Sequence, residues 1–202
     1  MNGMAQPIPR TRQAEFQAAI HILAERDWTG ADALAIMPET TGPRVEIFRG
    51  RVIVTPHAGW DHQVIQRELA YVLHRAARRA GFWAVPELNV LSGDDLFIPD
   101  IVVVRSNGAG KAAVDIVDTV LLVEIASQRN RRKDVIHRPS EYAVAGVPWY
   151  MRVDFLNRVP AVVLSELVKG KYKPVANGAA GSRFVMKEPF AFEVDPADLL
   201  DD

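Results

Sequence analysis

No cysteine occurs among the 202 residues. That absence excludes disulfides, thiolate zinc sites and cysteine nucleophiles. An excess of one charge is lacking too: 24 Lys and Arg stand against 25 Asp and Glu, a formal net charge of -1. No global basic field marks a nucleic-acid binder, so any polyanion-binding surface must be local. No apolar run approaches the ~18 residues needed to span a bilayer. The opening MNGMAQPIPRTRQ lacks the apolar centre of a signal peptide. Repeats, low-complexity blocks and long linkers are also missing. The expectation is a cytoplasmic protein with no membrane segment, one domain long and able to bury a good core.

What is present reads as alternating helices and strands. Residues 12–25 carry Phe16, Ile20, Ile22 and Leu23 near helical spacing. Trp28-Thr29-Gly30 suggests a cap before a short helix in ADALAIMP, stopped by Pro38. RVEIFRGRVIVT (44–55) alternates around a central Arg-Gly and predicts a hairpin. A long helix is expected from Asp61 to Ala80, buried along Ile65, Leu69, Val72, Leu73, Ala76 and Ala80, with Gly81 as its C-cap. FWAVPELNVL, LFIPDIVVVR and TVLLVEIAS read as three strands, the last two apolar enough to be buried on both faces. A second helix is expected from Arg132 to Ala145, then a strand in VPWYMRVD, then hairpins turning at Lys169-Gly170. The fold class is α/β (α+β): a mixed sheet flanked by helices, with C-terminal antiparallel strands. Residues 12–45 form an N-terminal extension, 46–154 the core and 155–202 the C-terminal hairpins.

Two carboxylates stand inside the buried runs, Asp100 in IPDIVVV and Glu124 in LLVEIAS. A buried carboxylate needs a partner, a proton or a metal, because isolating its charge costs several kcal/mol. One such acid can be a strand-end residue pointing into water. Two in successive sheet runs point instead to adjacent strands and a hard-cation site for Mg²⁺ or Mn²⁺. Their mutual repulsion would make Asp100→Asn neutral or stabilising without metal. His21, His57, His74 and His137 show no metal-ligand spacing.

IPD before an apolar strand, VEIAS, then Asp134, Tyr142 and AGVPWYMRVD resemble the Uma-two family of endonucleases, within the PD-(D/E)XK superfamily and its restriction-endonuclease-like fold. DWTGADALAIMP, VEIFRGRV and Asp61-His62-Gln63 before the long helix agree, so the resemblance spans about residues 27–154. It implies Asp100 and Glu124 as catalytic acids and metal ligands, the Ile125 carbonyl as a further ligand, and Glu46 completing the acidic cluster. It implies Mg²⁺- or Mn²⁺-dependent hydrolysis of DNA phosphodiesters, and homodimers are common in such folds. The superfamily lysine two residues after the second acid is replaced by Ala126. Relatives lacking it often carry a lysine four residues after the acid matching Asp134, where this chain has Arg138. Arginine stabilises phosphate charge but is a poor base, which leaves open a nuclease-like binding module that does not cut. Arg129, Arg131, Arg132 and Lys133 would grip the backbone beside the acids, although short charge runs are commonly solvated loops. His62 and Gln63 match a His-Gln pair of the family and belong to the same nucleic-acid face, or merely cap their helix. Trp60 and Trp149 stack on bases or pack in the core.

Overall fold

The computed structural model describes residues 26–36, 44–126 and 138–200. The expected helix over 12–25, Pro38 and residues 132–137 of the expected second helix lie outside them. Chain order is α1 (Gly30–Ile36), β1 (Arg44–Phe48), β2 (Arg51–Thr55), α2 (Trp60–Arg79), β3 (Trp83–Pro86), β4 (Val90–Ser92), β5 (Asp95–Phe97) and β6 (Ile101–Val104). Then come β7 (Val114–Asp115), β8 (Thr119–Ala126), α3 (Arg138–Val144), β9 (Trp149–Leu156), β10 (Val159–Val168), β11 (Lys171–Ala179), β12 (Phe184–Met186) and β13 (Phe192–Val194).

Local chemistry sets several boundaries. Thr29 and Asp32 cap α1 reciprocally: the Asp32 amide donates to Thr29 Oγ1 at 3.0 Å and the Thr29 amide to Asp32 Oδ2 at 3.0 Å. β1 and β2 pair antiparallel with Glu46 opposite Ile53, and both turn residues, Arg49 and Gly50, have positive φ, as a tight primed hairpin turn requires. Helix α2 buries Ile65, Leu69, Ala70, Leu73, Ala76 and Ala77. Ala80 is exposed instead, because it sits at the helix end, one step before Gly81 at φ 85°.

Two of the expected strands are each broken in two. FWAVPELNVL divides into β3 and β4, separated by Glu87 at φ 50°. LFIPDIVVVR divides into β5 and β6 around Ile98-Pro99-Asp100, where Pro99 has no N–H to continue a ladder. The halves join different sheets, so the single mixed sheet expected is divided while the α/β class holds. One sheet runs β2-β1-β5-β4-β7 and the other β11-β10-β9-β8-β6-β3, with β12-β13 a separate hairpin. The larger sheet is antiparallel except for β8 beside β9, a pairing that needs a crossover, and that crossover contains α3.

All eight residues of β8 are buried. One face of this sheet packs Leu121 and Val123 on Ile65, Leu69 and Leu73 of α2 and on Phe184. The other packs Val102 and Leu122 on Tyr142 of α3 and Tyr150. The acid-bearing ends of β6 and β8 are thus held between two helices. The C-terminal hairpins close the α2 side: a Cβ on Gly178 would stand 2.8 Å from the Phe184 Cα. Gly178→Ala is therefore expected to lose about 1–3 kcal/mol, the usual cost of overpacking, measured by urea unfolding.

Candidate active site

Asp100 sits where the chain passes from one sheet to the other, and it is 3% exposed. Its Oδ2 accepts the Ile125 amide proton at 2.7 Å and lies 3.2 Å from His62 Nε2. Its Oδ1 accepts from both terminal nitrogens of Arg44, each at 3.1 Å. Its backbone carbonyl accepts from Gln66 Nε2 at 2.9 Å. Burial opposes ionisation of this carboxyl most strongly, yet His62, Arg44 and the Ile125 amide together hold it below the usual aspartate range. Asp100 is an ionised acid in a prepared socket. The repulsion expected from a second acid is offset by pairing, so the expected tolerance of Asp100→Asn is reversed.

A second cluster forms around Arg138, 4% exposed at the start of α3. Its guanidinium pairs with Glu46, contacts Glu141 Oε2 at 3.3 Å and lies 5.2 Å from the Phe97 ring centroid. Glu46 also accepts from the Ile98 amide at 3.0 Å, which ties β1 to the segment leading into Asp100. Tyr142, one helical turn after Arg138, donates to Glu124 Oε1 at 2.5 Å. Burial, then the Glu124 charge, raises the Tyr142 phenol well above its ordinary range, so it stays a neutral donor. Burial disfavours the charge on Arg138, but the surrounding carboxylates of Glu46, Glu124 and Glu141 more than offset it and raise its pKa.

Register links the two clusters. Ile101 of β6 pairs with Val123 of β8, so Asp100 and Glu124 occupy the next rung. Glu124 in turn pairs with Arg152 of β9, whose Nε donates to Asp154 Oδ2 at 2.8 Å. Glu124 adds to the electrostatic hold on both Arg44 and Arg138. Beside this array, a cleft of about 300 Å³ is lined by Gln63, Gln66, Arg67, Ala70, Pro86 and Glu87.

The donor chemistry suits a hard divalent cation: two buried carboxylates, Asp100 at the entry to β6 and Glu124 in the neighbouring β8, with the Ile125 backbone beside them. Buried His62 Nδ1 and Asp154 Oδ1 also have no hydrogen-bond partner among the described residues. Even so, among the described residues no group of three or more such side chains is already arranged around an ion position. Arg44 and Arg138 supply the countercharge.

Of the residues singled out in the sequence, Asp100 and His62 meet in one cluster, and Glu46 and Arg138 meet in the other beside Glu124. Ile125 touches Asp100 through its amide. Gln63 is exposed at the cleft. Arg129, Arg131, Arg132 and Lys133 lie outside the described residues. Trp60 is 81% exposed on the first turn of α2, and Trp149 packs against the core. Arg44, Gln66 and the Tyr142 hydroxyl were not picked out, yet each had a signal: Arg44 shares the strand period of Glu46, Gln66 the helical period of His62, and Tyr142 that of Arg138.

Asp100→Asn is expected to destabilise the metal-free protein by about 1.5–3 kcal/mol, the range for hydrogen bonds to charged groups; Arg44 keeps Glu87 as a partner and so limits the loss. Because the folded carboxyl is depressed, its stabilisation is present above about pH 4, the ordinary aspartate value, and is lost as pH falls below it. Urea unfolding of wild type and Asp100→Asn from pH 7 to 3 checks both points, the gap between them closing at the acid end.

Comparison with known proteins gives the family and the fold. The Uma2 family, described as "Putative restriction endonuclease", matches residues 31–197. No curated protein matches the chain. The crystal structure of a "putative nuclease" from Anabaena variabilis is similar in fold, with a TM-score of 0.57 and 22% identity over 72% of this chain and 83% of that one. The matched span contains Arg44, Glu46, His62, Asp100, Glu124, Arg138 and Tyr142, and the chain belongs to the Uma2 family of restriction-endonuclease-like proteins.

Proposed function

We propose that this protein is a divalent-metal-dependent endonuclease that hydrolyses DNA phosphodiester bonds at the Asp100–Glu124 rung. The observation that carries the reading is the pair of buried acids on adjoining strand ends, one a depressed, ionised carboxylate and the other held by a neutral phenol. Burying charge in this way is costly unless each acid is paired, and perturbed groups of this kind concentrate at functional sites.

Asp100, Glu124 and the Ile125 carbonyl would hold Mg²⁺ or Mn²⁺. Bound there, the ion supplies Lewis acidity toward a phosphate oxygen and a lowered pKa for water. The remaining work falls to the chain's own groups. The Ile125 amide and His62 fix Asp100 Oδ2, and Gln66 fixes its backbone. Tyr142 orients Glu124. Arg138, always charged, stabilises negative charge developing on the phosphate and does not act as a base. The cleft beside Gln63 and Arg67 admits the backbone, with Arg129, Arg131, Arg132 and Lys133 as further phosphate contacts.

A second reading has its own observation. Ala126 stands where the superfamily has lysine, and two arginines already neutralise the acids, as suits a nuclease-like fold that binds nucleic acid or protein without cutting. Incubation with supercoiled plasmid separates the two. Nicking is expected with Mg²⁺ or Mn²⁺ and not with chelator, and Asp100→Asn or Glu124→Gln is expected to slow it at least about a hundredfold. Equal nicking in chelator contradicts the metal-dependent reading. Plasmid retardation without nicking in any arm supports the second.

A further inference from the structure

The two arginines at the site are held differently. Arg138 is enclosed: its side chain is 5% exposed and is clasped by Glu46 and Glu141, which are 3% and 16% exposed. Arg44 is a bridge from inside to outside. Its side chain is 20% exposed and reaches inward to Asp100, at 4%, and outward to Glu87, at 43%. Both of its terminal nitrogens converge on Asp100 Oδ1, while Oδ2 is taken by His62 and Ile125. Both oxygens of the carboxylate are therefore engaged, and no cation can coordinate Asp100 without displacing a present partner. Ile125 is fixed by the sheet and His62 by its helix. Arg44, on a long flexible side chain, is the partner free to leave.

We infer that Arg44 is a resident counter-cation, exchanged for the divalent ion that the proposed function requires. Without metal it neutralises Asp100 and part of the Glu124 field. When a divalent ion enters, the guanidinium withdraws toward Glu87 at 2.7 Å, which holds it at the rim of the cleft. The exchange is balanced, since one buried positive charge is replaced as it leaves and Asp100 is never stranded. Its consequence is weak metal affinity. A site competent in only about one molecule in ten binds about tenfold more weakly than the bare site would.

The test is a calorimetric titration with Mn²⁺ alone, on wild type, Arg44→Met, Arg44→Lys, Glu87→Gln and Asp100→Asn, with thermal melts in chelator and in Mn²⁺. Arg44→Met is expected to bind Mn²⁺ about tenfold more tightly than wild type, to melt lower in chelator and to recover in Mn²⁺. Glu87→Gln, altered only at the exposed rim, is expected to bind a few-fold more weakly, because the released guanidinium loses its anchor. Should Arg44→Met not fold, Arg44→Lys keeps a charge, loses the twin contact and is expected to bind a few-fold more tightly. Unchanged affinity in the folded Arg44 variant and in Glu87→Gln, with Asp100→Asn abolishing binding, overturns the exchange and leaves the metal reading standing. No Mn²⁺ binding in wild type or any Arg44 variant overturns both.

Discussion

One ionised carboxylate buried at a sheet boundary organises this molecule. Asp100 must keep its charge out of water, and the three groups that permit this come from three different elements: Arg44 from β1, His62 from α2 and Ile125 from β8, while Gln66 of α2 holds the Asp100 backbone carbonyl. Removing any one would leave desolvated charge, a cost of several kcal/mol when wholly uncompensated. The passage of the chain from β5 to β6, the orientation of α2 and the depth of β8 are thus linked through a single side chain. The second acidic group extends the arrangement, with Arg138 and Tyr142 of α3 holding Glu46 and Glu124.

Such a cluster of opposed charges is a poor way to stabilise a protein, since apolar residues of similar volume would commonly do as well or better. Its persistence in the middle of two apolar cores argues for chemistry. The family match states the coarse outcome, a restriction-endonuclease-like protein. On the proposed function, the enclosed Arg138 takes the place where the resemblance leads one to expect a lysine. This substitution exchanges a group able to move a proton for one that holds charge and planar geometry.

Much of this was legible in the chain. Period-3.6 apolar spacing placed α2 to within a residue, and the Arg49-Gly50 and Lys169-Gly170 turns placed two hairpins, because those signals are local. Asp100 and Glu124 stood out as acids in apolar runs. The breaks at Glu87 and at Pro99-Asp100 were less visible, because each half is a good strand and only the sheet it joins reveals the division. Pro99 was the available warning. Arg44 was missed for a similar reason: its partner is 56 residues away, and the strand period it shares with Glu46 gives its face without saying which acid it meets. The charge run from Arg129 to Lys133 lies outside the described residues, and its role rests on sequence alone.

The central claim is that Asp100 and Glu124 together hold a divalent ion, and paramagnetic broadening tests it most directly. In ¹H–¹⁵N spectra titrated with substoichiometric Mn²⁺, the amides of Asp100, Glu124 and Ile125 are expected to vanish first, followed by those of Arg44 and Tyr142. Broadening centred on exposed Asp94, in the turn between β4 and β5, or spread evenly over the surface carboxylates, would contradict the account.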